Sequence, residues 1–302
     1  MSRLAGPALP VDRHSGFHST GKVELLLALL LTALLSSCDG RAMRQEDMTT
    51  LSQSTRSDVT RMTLYFGHHS VGANILEGVA ELTASTDPDG AAAVTIAATS
   101  DIGTISPGTF AHGYVGSNTR PRSKVDAFAE VVRGGIGDTV DVAFFKFCYV
   151  DFDDRTDVGA LFDYYRATMD ELERTYPHTV FAHLTAPIVS RRLPLLTHAK
   201  NLVKRVIGRE DLLTSRLNAK REEYNRRMRE HYSSTGRLFD LALAEASAEG
   251  EAPLVVEDGS GSYYVMRSEY TSDGGHLNER GRKHVAGALL EFLSELKLAP
   301  ER

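Results

Sequence analysis

The sequence places a serine, an aspartate and a histidine at positions where the serine could act as a nucleophile and the other two could activate it. Ser70 ends the run Gly67-His68-His69-Ser70, where a short apolar strand pattern gives way to a helix pattern. A hydroxyl at such a turn lies beside the free N–H groups of a helix start, which can receive a developing negative charge. Asp273 and His276 come far downstream, just before an apolar-periodic helix. A serine nucleophile needs a neutral base, and the base needs an acceptor that fixes its tautomer, so Asp-x-x-His supplies both.

Both motifs also have a simpler structural explanation. A serine at a strand-to-helix turn is more often an N-cap, which accepts a hydrogen bond from the helix backbone. Asp273 is equally consistent with a residue that opens a Gly-rich turn, and His276 with an exposed residue at a helix start. The presence of both motifs in one chain favours the catalytic interpretation over two unrelated structural ones.

Gly-x-x-Ser after the first predicted strand, together with Asp-x-x-His before the last predicted helix, resembles the SGNH (GDSL-type) hydrolase superfamily. The resemblance extends over about Met62 to Leu296. It implies a flavodoxin-like, three-layer α/β/α fold and an activity among the esterases, lipases and carbohydrate deacetylases. It further implies that Ser70 is the nucleophile, that His276 is the base and that Asp273 orients the base.

The resemblance also implies an oxyanion hole, to which the long connection Asp101–Arg122 contributes. This connection is rich in Gly, Ser and Thr, and long loops within compact domains are usually functional or disordered. The backbone N–H of Gly116 is the predicted donor beside that of Ser70, with Gly113 as the second choice. The side chain of Asn118 is a further predicted donor, although asparagine in such a loop is more often a turn residue.

The third sequence block of the family is where this chain departs most from the family pattern. The usual Gly-x-Asn-Asp, whose asparagine completes the oxyanion hole, is replaced by Lys146-Phe147-Cys148-Tyr149-Val150-Asp151. Asp151 is the candidate for the aspartate of this block, while Tyr149 and Asn118 are the candidates for the missing donor. Loss of one such donor typically lowers turnover about a hundred- to a thousandfold. An inactive or substrate-restricted member of the fold is therefore an alternative.

The first block departs as well, since the usual Gly-Asp-Ser is Gly67-His68-His69-Ser70 here. His69 takes the place of the family's aspartate, and the two histidines are rivals of His276 as the base. A side chain next to Ser70 on the backbone has poor geometry toward its hydroxyl. His276 is preferred because it alone has a nearby carboxylate at the expected chain position.

Short apolar strands alternate with amphipathic helices over the region of the resemblance, which predicts βαβ units. The predicted strands are Met62–Phe66, Ala93–Ala97, Val140–Phe147, Thr179–Thr185 and Arg237–Leu241. The predicted helices are about Ala73–Thr83, Ser123–Arg133, Val158–Thr175, Asp211–Ser233 and Asn278–Leu296. Such units form a mainly parallel sheet covered on both faces, with ligands beyond the carboxyl ends of the strands. Ser70 follows the first strand and is expected at that edge.

Residues 1–38 have the pattern of an export signal. Positive residues precede an apolar run from Leu25 to Leu35, which is too short to span a bilayer comfortably. The run ends in Leu35-Ser36-Ser37-Cys38, which resembles a bacterial lipobox, and this resemblance implies that Cys38 is lipidated. An ordinary signal peptide, or a membrane anchor with a chance cysteine, is the alternative.

The rest of the chain divides into a predicted tether and a predicted domain. Residues 39–60 are polar and almost without apolar periodicity, which predicts a flexible tether. Residues 61–302 then form the hydrolase-like domain. The expected location is the bacterial cell envelope, where the lipid at Cys38 would hold the domain to a membrane on its periplasmic or extracytoplasmic face.

Composition excludes several other classes of protein. The 302 residues are 42% hydrophobic and 25% charged, which suits one globular domain with extra segments. A net charge of -6 gives no general attraction to nucleic acid. Only two cysteines occur, so lipidation of Cys38 would leave Cys148 without a disulfide partner. No Cys/His spacing resembles a zinc site, and the expected chemistry needs no metal or organic cofactor.

The function expected from these residues and from the resemblance is hydrolysis of a carboxylic ester through a Ser-His-Asp triad and an acyl-enzyme. The predicted location and the polar connection favour a short acyl group on a carbohydrate as substrate. One alternative keeps the triad but passes the acyl group to a sugar hydroxyl, as an O-acyltransferase does. The other is a non-catalytic glycan-binding protein on the same fold.

Overall fold

The computed structural model describes residues 51–84, 93–99, 101–191 and 216–299. The predicted signal peptide, its Cys38 and residues 39–50 of the predicted tether lie outside the described residues. Their lipidation and tethering roles therefore stay predictions.

The described chain alternates strands and helices in the order that βαβ units require. The strands are β1 Leu64–His68, β2 Thr95–Ala98, β3 Thr109–Tyr114, β4 Val142–Phe145, β5 Val180–Phe181, β6 His183–Leu184, β7 Leu238–Phe239, β8 Val255–Asp258 and β9 Gly261–Tyr264. The helices are α1 Gln53–Val59, α2 Val71–Thr83, α3 Pro121–Arg133, α4 Val158–Thr175, α5 Arg216–Tyr232, α6 Leu241–Ala246 and α7 Glu279–Glu295. None of the helices in these described ranges is both long and apolar enough to cross a membrane.

The central sheet is parallel, with its strands in the order β2-β3-β1-β4-β5. Strand β5 runs on through Ala182, whose N–H donates to Ala143, into β6, which pairs in parallel with β7. If β2 is left out and β5 and β6 are counted as one strand, the strands lie in the order of flavodoxin, which is 2-1-3-4-5. Strand β2 is an additional edge strand. The predicted α/β fold with a mainly parallel sheet is confirmed.

Helices cover the sheet on both faces, which makes three layers. Helices α1, α2, α6 and α7 pack with Leu64 and Phe66 of β1 on one face. Helices α3, α4 and α5 pack with Tyr65 of β1 and Phe145 of β4 on the other. Because side chains alternate between the faces of a strand, a strand covered on both sides is apolar throughout. All five residues of β1 are buried accordingly.

The connection predicted as one long loop, Asp101–Arg122, contains a strand, so this prediction is wrong in its middle part. Residues Thr109–Tyr114 form β3, which lies between β1 and β2 and pairs with both. Its sequence includes a threonine, a histidine and a glycine and shows no clear alternation. Backbone pairing on both sides satisfies the N–H and C=O groups of a central strand, which outweighs weak local propensity.

The folded domain begins before residue 61, because Gln53–Val59 within the predicted tether form helix α1. Ser52 caps this helix by accepting the N–H of Thr55. The buried guanidinium of Arg56 donates to the carbonyl groups of Leu82 and Thr83. These are carbonyls of the last turn of α2, which have no partner within their own helix. Together with the buried Val59, this cationic side chain attaches a segment that is too polar to predict as helical.

Helices α2 and α7 pack together more closely than an ordinary side chain allows. A Cβ on Gly78 of α2 would lie 2.3 Å from the carbonyl oxygen of Arg282 in α7. Helix α2 begins directly after Ser70, and α7 begins at Glu279, shortly after His276. The contact at Gly78 therefore sets how far apart these two side chains are.

Alanine at Gly78 should destabilise the fold, whereas alanine at Gly287 on the facing helix should not. Gly78→Ala forces a methyl group onto backbone and should lower the free energy of unfolding by about 1–3 kcal/mol. At Gly287 the nearest atom to an added Cβ is 3.8 Å away, so its variant should gain up to about 1 kcal/mol of helix propensity. Urea unfolding of both variants measures the difference. Equal shifts would contradict the close α2–α7 contact.

Candidate active site

Ser70 lies on the turn between β1 and α2, at the carboxyl edge of the sheet. Its backbone has φ 50° and ψ -104°, a positive φ that non-glycine residues rarely adopt and that costs free energy. The side chain makes no capping hydrogen bond to α2. Instead, Ser70 Oγ lies 2.5 Å from Nε2 of His276. The N-cap explanation for this serine is therefore wrong.

His276 and Asp273 form a hydrogen-bonded pair that is turned toward Ser70. His276 Nδ1 lies 2.6 Å from Asp273 Oδ2. The other carboxylate oxygen accepts the N–H groups of Gly275, at 2.9 Å, and of His276, at 2.8 Å. A proton on Nδ1, donated to the carboxylate, leaves Nε2 of the neutral ring free to accept the serine O–H. The structure thus brings the three predicted residues into one chain of hydrogen bonds.

The electrostatics of the pair suit a base that becomes charged during a reaction. Partial burial opposes the ionisation of Asp273, but the hydrogen bonds from His276 and Gly275 outweigh it and lower the pKa of the carboxyl below its usual value. A carboxylate that stays ionised stabilises an imidazolium beside it. The side chains of His276 and Asp273 are 43% and 50% exposed, so the site is open to a substrate from solvent.

Gly116, the predicted oxyanion donor, lies on the turn after β3. Its φ is +59°, and a Cβ would lie 2.4 Å from the backbone of Ser123, so only glycine fits. Within the described residues, the N–H groups of Gly116 and Ser70 donate no hydrogen bond to the protein. Nε2 of His69, the residue before Ser70, lies 3.0 Å from the carbonyl oxygen of Val115 and 3.1 Å from that of Gly116. The turn is thereby joined to the segment that carries Ser70.

Two of the other oxyanion candidates from the sequence, Asn118 and Gly113, have different surroundings. Asn118 is exposed, and its Oδ1 accepts a hydrogen bond from Nζ of Lys124 at 2.9 Å. Gly113 lies within β3, opposite Gly67, where a Cβ would meet the Tyr65 hydroxyl at 2.9 Å. A role for Asn118 in the oxyanion hole stays a prediction, while Gly113 has a packing reason to be glycine.

Neither His68 nor His69 is turned toward the Ser70 hydroxyl. Nε2 of His68 lies 2.9 Å from Nδ1 of His112. Burial, helped by the charge of Lys146, lowers the pKa of His68 to about 3, so its ring is neutral. His69 is held by the two carbonyl groups on the turn after β3. The preference for His276 as the residue that faces Ser70 agrees with these contacts.

A buried ion pair, which the sequence pattern did not indicate, fixes the turn that carries Gly116. Lys124 Nζ lies 2.5 Å from Asp151 Oδ2, and both side chains are inaccessible to solvent. Asp151 also accepts the N–H groups of Cys148, at 2.7 Å, and of Thr119, at 2.8 Å. It thus joins the turn after β3 to the segment after β4. Lys124 lies on an amphipathic helix, where a lysine is ordinarily solvated, so its burial had no sequence signal.

The segment after β4 borders the site through Tyr149. The Tyr149 ring packs edge-on to the His276 ring, with 5.8 Å between centroids. Burial, together with the charge of Asp273, raises the pKa of the phenol well above its usual value, so the hydroxyl stays protonated. The Tyr149 carbonyl accepts a hydrogen bond from the buried Arg221. Cys148 is buried and forms no disulfide within the described residues.

No family model matches this chain, and no curated protein matches it. Among solved structures, a protein of Streptococcus pneumonia provisionally assigned as a platelet activating factor has a TM-score of 0.45 and 17% identity over 89% of this chain and 99% of its own. The periplasmic domain of a lipopolysaccharide acetyltransferase from Salmonella ser. Paratyphi A has a TM-score of 0.39 and 13% identity over 90% of this chain and 96% of its own. A peptidoglycan O-acetylesterase has a TM-score of 0.38 and 12% identity over 63% of this chain and 48% of its own. These likenesses are too distant to assign a family.

Removal of Asp151 should strongly destabilise the protein, because it leaves the buried ammonium of Lys124 beside the neutral Asn118 Oδ1 and without its carboxylate partner. We expect Asp151→Ala to lower the free energy of unfolding by about 3–5 kcal/mol. The exposed pair Arg226–Glu230 provides a control, since Glu230→Ala should cost less than about 1 kcal/mol. Urea unfolding measures both variants. A loss for Asp151→Ala no larger than that of the control would show that the pair is not buried.

The carboxyl of Glu245 should make stability fall as pH rises. It is fully buried, and burial raises its pKa to about 8 despite the N–H of Ile188 and the charges of Lys146 and Arg221. Between about pH 4.5 and pH 8 the folded state keeps a proton that the unfolded chain has lost. The free energy of unfolding should therefore fall by at most about 1.4 kcal/mol per pH unit in this window.

Glu245→Gln should remove this contribution and flatten the dependence of the unfolding free energy on pH. The exposed Glu257 provides a matched control, since Glu257→Gln should leave the slope as it is in the wild type. Urea unfolding at about pH 5 and about pH 8 measures the slope. A wild-type slope retained in Glu245→Gln would show that Glu245 is ionised in the folded protein.

Proposed function

We propose that this protein is a serine ester hydrolase whose nucleophile is Ser70. The observation that carries the proposal is the unbroken chain of hydrogen bonds from Ser70 Oγ through His276 to Asp273, with lengths of 2.5 and 2.6 Å. The positive φ of Ser70 supports it, because strained backbone at a turn is typical of functional positions. The same geometry favours a catalytic protein over a binding protein on the same fold.

The reaction follows from the two nitrogen atoms of His276. Nε2 takes the proton as Ser70 Oγ forms a bond to the acyl carbon, and the imidazolium is stabilised by Asp273. The N–H groups of Ser70 and Gly116 would bind the oxyanion of the tetrahedral intermediate. His276 then returns its proton to the leaving alcohol oxygen as the ester C–O bond breaks. Water, deprotonated by the same Nε2, attacks the acyl carbon. His276 then returns this proton to Ser70 Oγ as the bond from Oγ to the acyl carbon breaks, which releases the acid and free serine.

The proposed substrate is a short acyl ester of a carbohydrate, acted on in the bacterial cell envelope. Support comes from the half-exposed triad and from the polar turn beside it, where Ser117, Asn118 and Thr119 are exposed. A small acyl group needs no long apolar groove. Attachment to a membrane through lipid at Cys38 is part of the proposal and rests on the lipobox-like sequence alone.

Substitution of any triad residue should abolish ester hydrolysis. We expect Ser70→Ala, His276→Ala and Asp273→Asn to lower kcat for p-nitrophenyl acetate by roughly a thousand- to ten thousandfold, because each breaks the proton path. The assay uses the full chain in detergent, and a fluorophosphonate probe should label Ser70 in the wild type only.

Controls with the same residue types come from the surface of the protein. Ser260→Ala and His178→Ala change exposed side chains and should keep wild-type rates. A glycan acceptor added to the assay separates hydrolysis from transfer, since an acyltransferase would acylate the acceptor in place of water. Equal background rates in the wild type and all triad variants, with no labelling, would refute the serine-hydrolase proposal.

A further inference from the structure

Tyr114 is unusually exposed for an aromatic residue at the end of a central strand. It is the last residue of β3 and pairs with His68 of β1. Its exposure is 74%, the largest among the large hydrophobic side chains of the described residues. Because β1 and β3 are parallel, their ends meet at the carboxyl edge of the sheet, where Ser70 also lies. An exposed aromatic ring thus lies at the same edge of the sheet as the candidate nucleophile.

The protein covers one face of the Tyr114 ring and contacts its edge. Its face stacks on the His69 ring, with 5.1 Å between centroids and 23° between planes, and its side contacts His68 at 5.4 Å. His69 is in turn fixed by the carbonyl groups of Val115 and Gly116. The second face of Tyr114 is therefore open to solvent. A ring that is already fixed loses little conformational entropy when it binds a ligand.

The surroundings of Tyr114 are polar, which decides the kind of ligand that fits. Its hydroxyl has no hydrogen-bond partner within the described residues, and Ser117, Asn118 and Thr119 on the following turn are exposed. A sugar ring has one face of C–H groups and a rim of hydroxyls, so it matches an aromatic face with polar groups around it. The other exposed large hydrophobic side chains of the described chain belong to other elements, namely Ile102, Tyr164, Leu254, Val255 and Leu298. A long acyl chain would lack a continuous apolar surface here.

Resting on the proposed esterase function, we propose that Tyr114 forms a subsite that binds a sugar ring of the acylated glycan. The ring packs on the open face of Tyr114, and its hydroxyls bond to the Tyr114 hydroxyl and to the turn after β3. His69, which supports Tyr114, is the chain neighbour of Ser70. An ester on the bound sugar, or on the sugar next to it, is thereby presented to Ser70 Oγ.

A second surface of the protein provides the competing location for a glycan. A cavity of about 580 Å³ lies between the starts of α3 and α4. Arginine and aspartate side chains line it, among them Arg122, Asp126 and Asp157. Tyr164 lies beside it, since its ring contacts the guanidinium of Arg122 and its hydroxyl donates to Asp126. Tyr164 is thus a matched aromatic control for Tyr114.

The test compares the kcat/KM for a partially acetylated cellobiose, which keeps free hydroxyls, and for O-acetylated peptidoglycan fragments with the kcat/KM for p-nitrophenyl acetate. The full chain is assayed as wild type and as Tyr114→Ala, Tyr114→Trp and Tyr164→Ala. We expect Tyr114→Ala to lower the ratio of glycan ester to p-nitrophenyl acetate at least about tenfold, mainly through KM, as expected for loss of one aromatic contact. Tyr114→Trp keeps an aromatic face and should retain most of the ratio. Tyr164→Ala should match the wild type.

The outcomes separate this proposal from the esterase proposal. A lowered ratio in Tyr164→Ala with an unchanged ratio in Tyr114→Ala would overturn it and place the glycan in the cavity between α3 and α4. Hydrolysis of p-nitrophenyl acetate but of neither glycan ester would overturn the sugar subsite and leave the esterase intact. An equal loss in Tyr114→Ala and Tyr114→Trp would also overturn it, because the tyrosine would then act through the fold. Thermal unfolding of both variants identifies that case.

Discussion

The hydrogen bond between Ser70 and His276 depends on how two distant parts of the chain pack. The two residues belong to segments before α2 and α7, so their distance is fixed only when these helices pack against each other. The bare backbone of Gly78 lets the helices approach to a distance that no other residue permits. Proton transfer requires donor and acceptor to lie within hydrogen-bond reach. The packing of these two helices is thus the condition for the hydrogen bond between Ser70 and His276.

The turn that carries Gly116 depends on buried polar groups. Lys124 and Asp151 are removed from solvent together, and their attraction largely offsets the cost of desolvation, so such a pair adds little net stability. Its effect is on position, because Asp151 also bonds to Thr119 on this turn and to Cys148 after β4. His69 holds the turn from the other side. Loops at the edge of a parallel sheet are otherwise the most mobile part of such a fold.

The fold class and the residues brought together at the site could be predicted from the sequence, whereas some elements could not. Apolar strands and the spacing of Ser70, Asp273 and His276 are local signals, and the catalytic roles of these residues stay predictions until they are tested. Strand β3 has weak propensity and is stabilised by neighbours on both sides, and α1 is attached through Arg56. The hairpin of β8 and β9 also went unpredicted. Strand β3 and helix α1 depend on partners far along the chain, which periodicity does not reveal. The hairpin is a local pairing, but its strands are mostly exposed and so lack the apolar alternation of a half-buried strand.

The segment that resembles the family's third block lacks the asparagine expected there, so the proposed mechanism needs its oxyanion donors from elsewhere. In this chain the segment after β4 serves the interior, since Lys146 is buried and Asp151 accepts the N–H of Cys148. Besides the side chain of Asn118, the donors that we propose are the N–H groups of Ser70 and Gly116, two residues with positive φ. A backbone N–H keeps a fixed direction only as long as its turn is held in place. A positive φ at serine also costs free energy, which packing must offset. The α2–α7 contact and the Lys124–Asp151 pair hold the two turns in place, so in the proposed mechanism the direction of these N–H groups depends on the scaffold.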